Sequence, residues 1–269
     1  MEYHISKPHP FLAEFVRHYW TLEHGGPVNG EHVQRIVPNG LIDLTFYFDR
    51  IPESLDKQIA IDETTGITGQ LSRYYDLRIT HRLELFSIIF QPAGLAVLLD
   101  TPLRELFNRN IPLKYLLKDQ TNALEDRLYE ARTFTERIRI AEQFLFDRLK
   151  KHPGKPHLPR MRRSVALINQ ARGMVSVDDL AAEACLSRKQ FERVFQQYIG
   201  TSPRRFMRIV RFQNALYEKS LHPELNLTSL TYRCGYFDQS HMTHDFLQIS
   251  GMTPKAYFRA GDPFSDYFL

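Results

Sequence analysis

Two stretches of the chain carry hydrogen-bonding side chains at matching helical spacing. RKQFERVFQQYIG runs from Arg188 to Gly200, and QSHMTHDFLQISG runs from Gln239 to Gly251. At 100° per residue, Lys189 and Arg193 fall opposite an apolar stripe of Phe191, Val194, Phe195 and Tyr198, with Glu192, Gln196 and Gln197 flanking them. In the second stretch Ser240 and His244 fall opposite Met242, Phe246 and Ile249, flanked by Thr243 and Gln248, with Gln239 in the first turn. Such faces could meet plain water, a metal through His241 and His244, or the edges of bases. Arg and Lys suit guanine, Gln suits adenine, and Ser, Thr and His are adaptable. The repetition decides between these. At an offset of 51 the places of His241 and His244 are held in the first copy by Gln190 and Arg193, so a metal is not expected. Base contacts are assigned to Arg188, Lys189, Glu192, Arg193, Gln196, Gln239, Ser240, Thr243 and His244.

The elements that must position these faces repeat as well. Leu180–Arg208 aligns with Leu230–Arg259, at offset 51 after the internal turn and 50 before it, so one residue is inserted there. Ser176, followed by Val177, Asp178 and Asp179, reads as a helix cap with acidic residues in the first turn. Ser187 and Asp238 cap the two polar-faced helices, Gly200 and Gly251 stop them, and Ser202-Pro203 and Thr253-Pro254 restart the chain as helix. Each copy is therefore a helix-turn-helix unit. Arg204, Arg205, Arg208 and Arg211 cluster at and after the restart. Ser202, Arg204, Arg205, Arg211, Thr253 and Lys255 are assigned to phosphates, which helix N-termini favour. A long helix from Pro203 to about Lys219 would join the units and set two recognition helices into successive major grooves, ~34 Å apart.

Charge agrees with this placement. From His157 onward there are 15 Lys and Arg against 10 Asp and Glu, leaving 20 against 21 in the remainder of a 269-residue chain of net charge +4. The basic excess lies wholly in the C-terminal part, which points to an anionic partner there. The expected fold class is an α+β N-terminal domain, β-rich and barrel-like with trailing helices, followed by an all-α domain. The division is residues 1–150, a linker at 151–160 marked by KKHPGKPHLPR, and residues 161–269. PHPFLAEFVRHYW is expected to add a short helix near the start. TPLRELFNRNIPLKYLL reads as a short helix, and 122–151 as longer ones with a stripe of Ile138, Ala141, Phe144, Leu145 and Leu149 for core or dimer contact.

Within the β-rich part, Trp20, Arg35, Asn39, Asp43, Gln70 and Gln91 are the polar or aromatic candidates for binding a small-molecule effector. No apolar run reaches membrane-spanning length and no secretory signal is evident, so a cytoplasmic protein is expected. No G-x-S-x-G, Walker A or G-x-G-x-x-G occurs, and the histidines do not pair as metal ligands, so no enzyme, cofactor or metal is expected. The two cysteines, Cys185 and Cys234, read as small buried hydrophobes at equivalent inter-helix turns.

GYFDQSHMTHDFLQISGMTPKAYFR, Gly235–Arg259, resembles the second helix-turn-helix signature of the AraC/XylS family of bacterial transcription regulators, and the resemblance extends over about Arg162–Arg259. It implies a seven-helix, two-motif DNA-binding domain and a variable N-terminal domain that senses an effector or mediates dimerisation. The implied partners are promoter DNA and an effector, with RNA polymerase and a second copy of the chain as further candidates. His244 stands where arginine is common in the family, Leu247 where lysine is, and Met242 where an aromatic is. The first copy is therefore expected to supply more of the grip. YHISKPHPFLAEFVRHYW, RIVPNGLIDLTFYF and FSIIFQPAGLAVLLDTPLRELF are similar to a sensor region of unknown ligand found on such regulators.

Overall fold

A computed structural model of the chain describes residues 2–26, 30–118, 120–151 and 154–260. Two of the residues read as linker, 152 and 153, and the last nine residues lie outside it. The N-terminal part is built on two sheets. A six-stranded sheet runs β1 (Glu2–Ser6), β2 (Val16–His24), β8 (Leu83–Phe90), β4 (Ile42–Tyr47), β6 (Thr65–Thr68), β9 (Asn110–Pro112). A three-stranded sheet runs β3 (His32–Ile36), β7 (Tyr75–Ile79), β5 (Glu53–Ser54). The sheets face each other without closing into the expected barrel.

Alternation along the strands explains the layering. On β4, Ile42, Leu44 and Phe46 enter one core and Tyr47 enters another. The first core fills the space under helices α2 (Gln120–Glu130) and α3 (Phe134–Lys151), and the second lies between the sheets. The stripe on α3 is covered by this arrangement: Ala141 and Leu145 are buried, and Ile138, Phe144 and Leu149 pack against the same core.

Two expected helices are mostly something else. Only Pro10–Leu12 forms a short 3-10 turn near the start. The rest of that segment is β2, because Val16, Tyr19 and Leu22 find cross-strand partners on β8, which an isolated amphipathic pattern does not reveal. Likewise the segment after Pro102 is a 3-10 turn at Leu103–Leu106, strand β9, and then α1 (Leu113–Leu117).

The C-terminal part is helical: α4 (Leu158–Gln170), α5 (Val177–Glu183), α6 (Arg188–Ile199), α7 (Pro203–Leu221), α8 (Leu227–Arg233), α9 (Gln239–Ser250) and α10 (Pro254–Arg259). These are seven helices among the described residues, in the two-unit order that the repeat implied. No helix of the described residues is long and apolar enough to cross a membrane.

Candidate nucleic-acid interface

Each unit is positioned by local contacts written in its own sequence. Ser176 accepts from the Asp179 amide, Ser187 from Gln190 and Asp238 from His241, which satisfies donors that every helix start leaves open. Ser202 and Thr253 cap α7 and α10, each followed by proline at the first helical position. Gly200 and Gly251 take left-handed backbone, with φ of 93° and 73°, and end the two polar-faced helices. A side chain on Gly251 would also run into the Tyr74 ring, 2.3 Å from where its Cβ would stand.

The structure sharpens the alignment of the two turns. Cys185 adopts φ 51° and matches Gly235 at φ 72°, while Cys234 matches Ala184 as the buried helix end. The cysteines are thus one position out of register. Cys234 is buried, with its thiol pushed up to about 12 by burial and the nearby Glu218, whereas Cys185 is exposed and is no core hydrophobe. The inserted residue is Phe237, between Tyr236 and the Asp238 cap, and its ring is 84% exposed.

The apolar stripes close as read: Phe191, Val194, Phe195 and Tyr198 are buried on α6, as are Met242, Phe246 and Ile249 on α9. The opposite faces are open. Lys189 and Arg193 are exposed, and neither pairs with an acid among the described residues. Glu192 and Gln196 are partly exposed beside them. Arg188 is exposed but already pairs with Asp178 on α5 at 3.1 Å and with Glu192 at 3.5 Å, which holds it toward the neighbouring helix. On α9, Ser240 and His244 are exposed and Thr243 is partly so. Gln239 donates to Thr228 at 2.6 Å, and His244 lies 2.9 Å from the Gln248 amide.

The residues assigned to phosphates divide. Arg204, Thr253 and Lys255 are exposed at helix starts, and Ser202 is a cap. Arg205 is exposed but stacks on Phe107 of the N-terminal part, 4.8 Å from the ring centre. Arg211 is a tie within the domain. It donates to the Gly173 carbonyl at 3.1 Å and lies over Tyr236, so its assignment to phosphate is corrected. Arg208 is likewise internal, joining α7 to α9 through Asp245 at 2.7 Å and Gln248 at 2.6 Å.

A buried carboxylate that the sequence reading missed locks the units together. Glu218 on α7 is contacted by Arg172, after α4, and by Arg233 on α8, the latter at 2.5 Å. No local spacing signals that trio, because its members lie 15 and 46 residues apart.

The effector candidates also divide, and only two of the six share one space. Asp43 lies on the inter-sheet face of β4, and Trp20 packs between the same sheets. Arg35 instead forks onto Asp76 at 2.8 and 2.9 Å and reaches across to the Ser250 carbonyl at 3.2 Å. Asn39 accepts from the Leu41 amide and so shapes the turn. Gln70 is buried and donates to the Gly40 carbonyl at 2.7 Å. Gln91 donates to the Ala13 carbonyl at 3.3 Å. Arg35, Asn39, Gln70 and Gln91 are therefore reassigned to holding turns and the seam between the two parts.

That seam is extensive. The Tyr74 amide donates to the Ile249 carbonyl at 2.8 Å, and Gln213 on α7 donates to the Pro38 carbonyl at 2.8 Å. Both polar helix faces remain open with the N-terminal part docked.

Two capped helix-turn-helix units joined by one long helix define a class of DNA-binding domain. A family model described as a helix-turn-helix domain matches residues 180–260, and one described as a domain of unknown function (DUF6597) matches residues 4–112. The C-terminal part of this chain is similar to regulators of the AraC/XylS type that carry such a helix-turn-helix domain. It is similar to the HTH-type transcriptional regulator GbdR of Pseudomonas aeruginosa, 26% identical over 138 residues, which cover 46% of this chain and 36% of that one. It is also similar to the HTH-type transcriptional activator RhaS of Escherichia coli, 28% identical over 90 residues, 34% of this chain and 32% of that one. The chain thus aligns with about a third of the length of these curated relatives. The structure of ToxT from Vibrio cholerae aligns over 85% of this chain and 97% of that one, at 12% identity and a TM-score of 0.46.

Proposed function

We propose that the protein is a sequence-specific, non-catalytic transcription regulator whose two recognition helices, α6 and α9, read successive major grooves of promoter DNA. The observation that carries this reading is the pairing of two open polar faces, at equivalent positions, on helices capped and stopped in the same way. Lys189 and Arg193 offer donors for guanine, and Gln196, Gln239, Ser240, Thr243 and His244 offer adaptable hydrogen bonds. Phe237, inserted beside the start of α9, adds an exposed apolar surface suited to a thymine methyl. Arg204, Ser202, Thr253 and Lys255 supply phosphate contacts from helix starts. The N-terminal sheets serve as the effector module, with the inter-sheet space around Trp20 and Asp43 as the binding place. RNA polymerase and a second copy of the chain are the further partners such a regulator engages, inside the cytoplasm.

Selection of bound sequences from a random DNA pool, followed by gel shift, tests this. The expected product is a bipartite, non-palindromic site with half-sites about one helical turn apart and a steep salt dependence. Enrichment of no sequence at low salt would overturn the reading.

A further inference from the structure

The seam between the two parts of the chain holds an open cleft of about 250 Å3. Its walls come from three places: Arg73 just before β7, Arg205, Arg208 and Ile209 on α7, and Gln248 and Ile249 at the end of α9. No carboxylate lines it. Ile209 and Ile249 are buried and give it an apolar base, whereas Arg73, Arg205 and Gln248 are exposed and Arg208 is partly so. Drug-sized ligands take up roughly 300–1,000 Å3, so this cleft suits a smaller molecule.

Three guanidiniums meet here, and each keeps N–H groups to spare. Arg73 pairs with Asp56 at 2.8 Å and reaches Gln58 at 3.0 Å, both through Nη2. Its Nε and Nη1 have no partner among the described residues. Arg208 meets Asp245 at 2.7 Å and Gln248 at 2.6 Å through Nη2, and Asp245 again at 2.9 Å through Nε. Nη1 is left over. Arg205 stacks on Phe107, and among the described residues its guanidinium has neither an acid nor a side-chain hydrogen bond. Arg205 and Arg208 stand three apart on α7, so they share one face of that helix. Burial, and after it the charge of Arg208, hold Arg205 below its ordinary pKa, so the like charge is felt. Three cations against two acids leave the cleft positive, and both acids lie outside its lining.

A phosphoryl group answers this arrangement. It carries about −1.5 to −2 of charge near neutral pH and three strong acceptor oxygens. Guanidiniums pair with phosphate oxygens through short, charge-assisted hydrogen bonds. A carboxylate brings a single charge and only two oxygens to three guanidiniums. We propose that the seam cleft binds a small phosphate monoester, its phosphoryl group held by Arg73, Arg205 and Arg208 and its organic body resting on Ile209 and Ile249. Arg73 belongs to the N-terminal part and the other two arginines to the C-terminal part, so the ligand fastens one to the other. It does so beside the Ile249 carbonyl, where the Tyr74 amide meets the end of α9. The cleft is separate from the inter-sheet space, and it stands whether or not α6 and α9 read DNA.

Isothermal titration calorimetry and thermal melting of the full chain, free of DNA and at an ionic strength held constant with chloride, compare phenyl phosphate, inorganic phosphate and benzoate. Phenyl phosphate is expected to bind most tightly, inorganic phosphate more weakly for want of an apolar body, and benzoate about tenfold more weakly than phenyl phosphate. Arg73→Gln and Arg205→Gln should each weaken phenyl phosphate about tenfold. The melting curve of each variant reports whether it is folded, and should one fail to fold, the other decides. If neither phosphate gives heat or a rise in melting temperature, or if binding is untouched by the variants, the site is overturned. Benzoate as tight as phenyl phosphate would overturn the phosphoryl assignment. The DNA backbone carries the same group, so the titration is repeated on chain that a gel shift shows to be saturated with duplex. Retained binding of phenyl phosphate supports the free ester. Its loss would make the DNA backbone the occupant and overturn the small molecule.

Discussion

The guanidinium of Arg35, on the small N-terminal sheet, donates to the main-chain oxygen of Ser250, the last residue of α9, at 3.2 Å. The neighbouring carbonyl, that of Ile249, receives the Tyr74 amide at 2.8 Å. A helix end leaves its final carbonyls without intrahelical partners and carries partial negative charge, so a cation and an N–H there are doubly suited. Helix α9 is thus finished by the N-terminal part, and any movement of that sheet is felt where α9 ends.

Arg35→Ala should expose that dependence. The side chain is about one-third open, so the loss is modest, about 1 kcal/mol, or 2–4 °C in melting temperature for a chain of this size. Hydrogen exchange at the amides of Gly251 and Met252 should quicken while α6 is unaffected. Unchanged exchange at those amides would show that Tyr74 alone holds the helix end.

The two recognition faces should contribute unequally. Arg193 is exposed and unpaired by any acid among the described residues, ready for a guanine, whereas His244 already shares a hydrogen bond with Gln248. Arg193→Ala is expected to lower affinity for the selected DNA site by ~1–3 kcal/mol, and His244→Ala by under ~1 kcal/mol. Fluorescence anisotropy at fixed salt measures both, and the reverse order would contradict the ranking.

Phe237 touches little of the protein, so Phe237→Ala should leave the melting temperature unchanged. It should weaken DNA binding by about 1 kcal/mol and relax preference at one base pair near the start of α9. Replacing the thymine there with uracil removes the methyl group. That change should weaken the wild-type protein and leave the Phe237→Ala variant indifferent. Equal sensitivity in both proteins would place the ring away from the base.

What was legible in the sequence was local. The caps at Ser176, Ser187 and Asp238 act over three residues, and the glycines at 200 and 251 end helices by their own backbone, so spacing alone exposed them. The change of offset showed that a residue was inserted, but only the matched left-handed positions of Cys185 and Gly235 identify it as Phe237. What was not legible depended on distant partners. Arg35 meets Ser250 from 215 residues away, and Gln213 meets Pro38 from 175. Arg211 looked like a phosphate ligand because it stands near other arginines, yet the Gly173 carbonyl and the Tyr236 ring hold it. The segment after Pro102 misled for the opposite reason. Its apolar residues serve the large core from a short turn and a strand, so helical spacing carried no information there.

Asp43 and His18 set opposing pH dependences of stability. Raising Asp43 from 3.8 to about 7 means that the folded chain holds this proton more tightly than the unfolded chain does. The corresponding stability is present at low pH and is lost as pH rises from about 4 through 7. His18 is lowered from 6.5 to about 4, so its contribution is present above pH 6.5 and is lost as pH falls toward 4. Between about pH 4 and 6.5 the two slopes offset each other, and each variant should reveal the partner's limb. His18→Gln should leave a chain whose stability falls as pH rises toward 7. Asp43→Asn should leave one whose stability climbs from pH 4 to 6.5. At pH 8, where wild-type Asp43 is ionised without a counter-ion, Asp43→Asn should be the more stable protein by roughly 1–3 kcal/mol, discounted for the partial access of that side chain. Urea unfolding at pH 4.5, 6 and 8 measures all three proteins. A wild type that is more stable than Asp43→Asn at pH 8 would mean that Asp43 has a cationic or donor partner in the free protein.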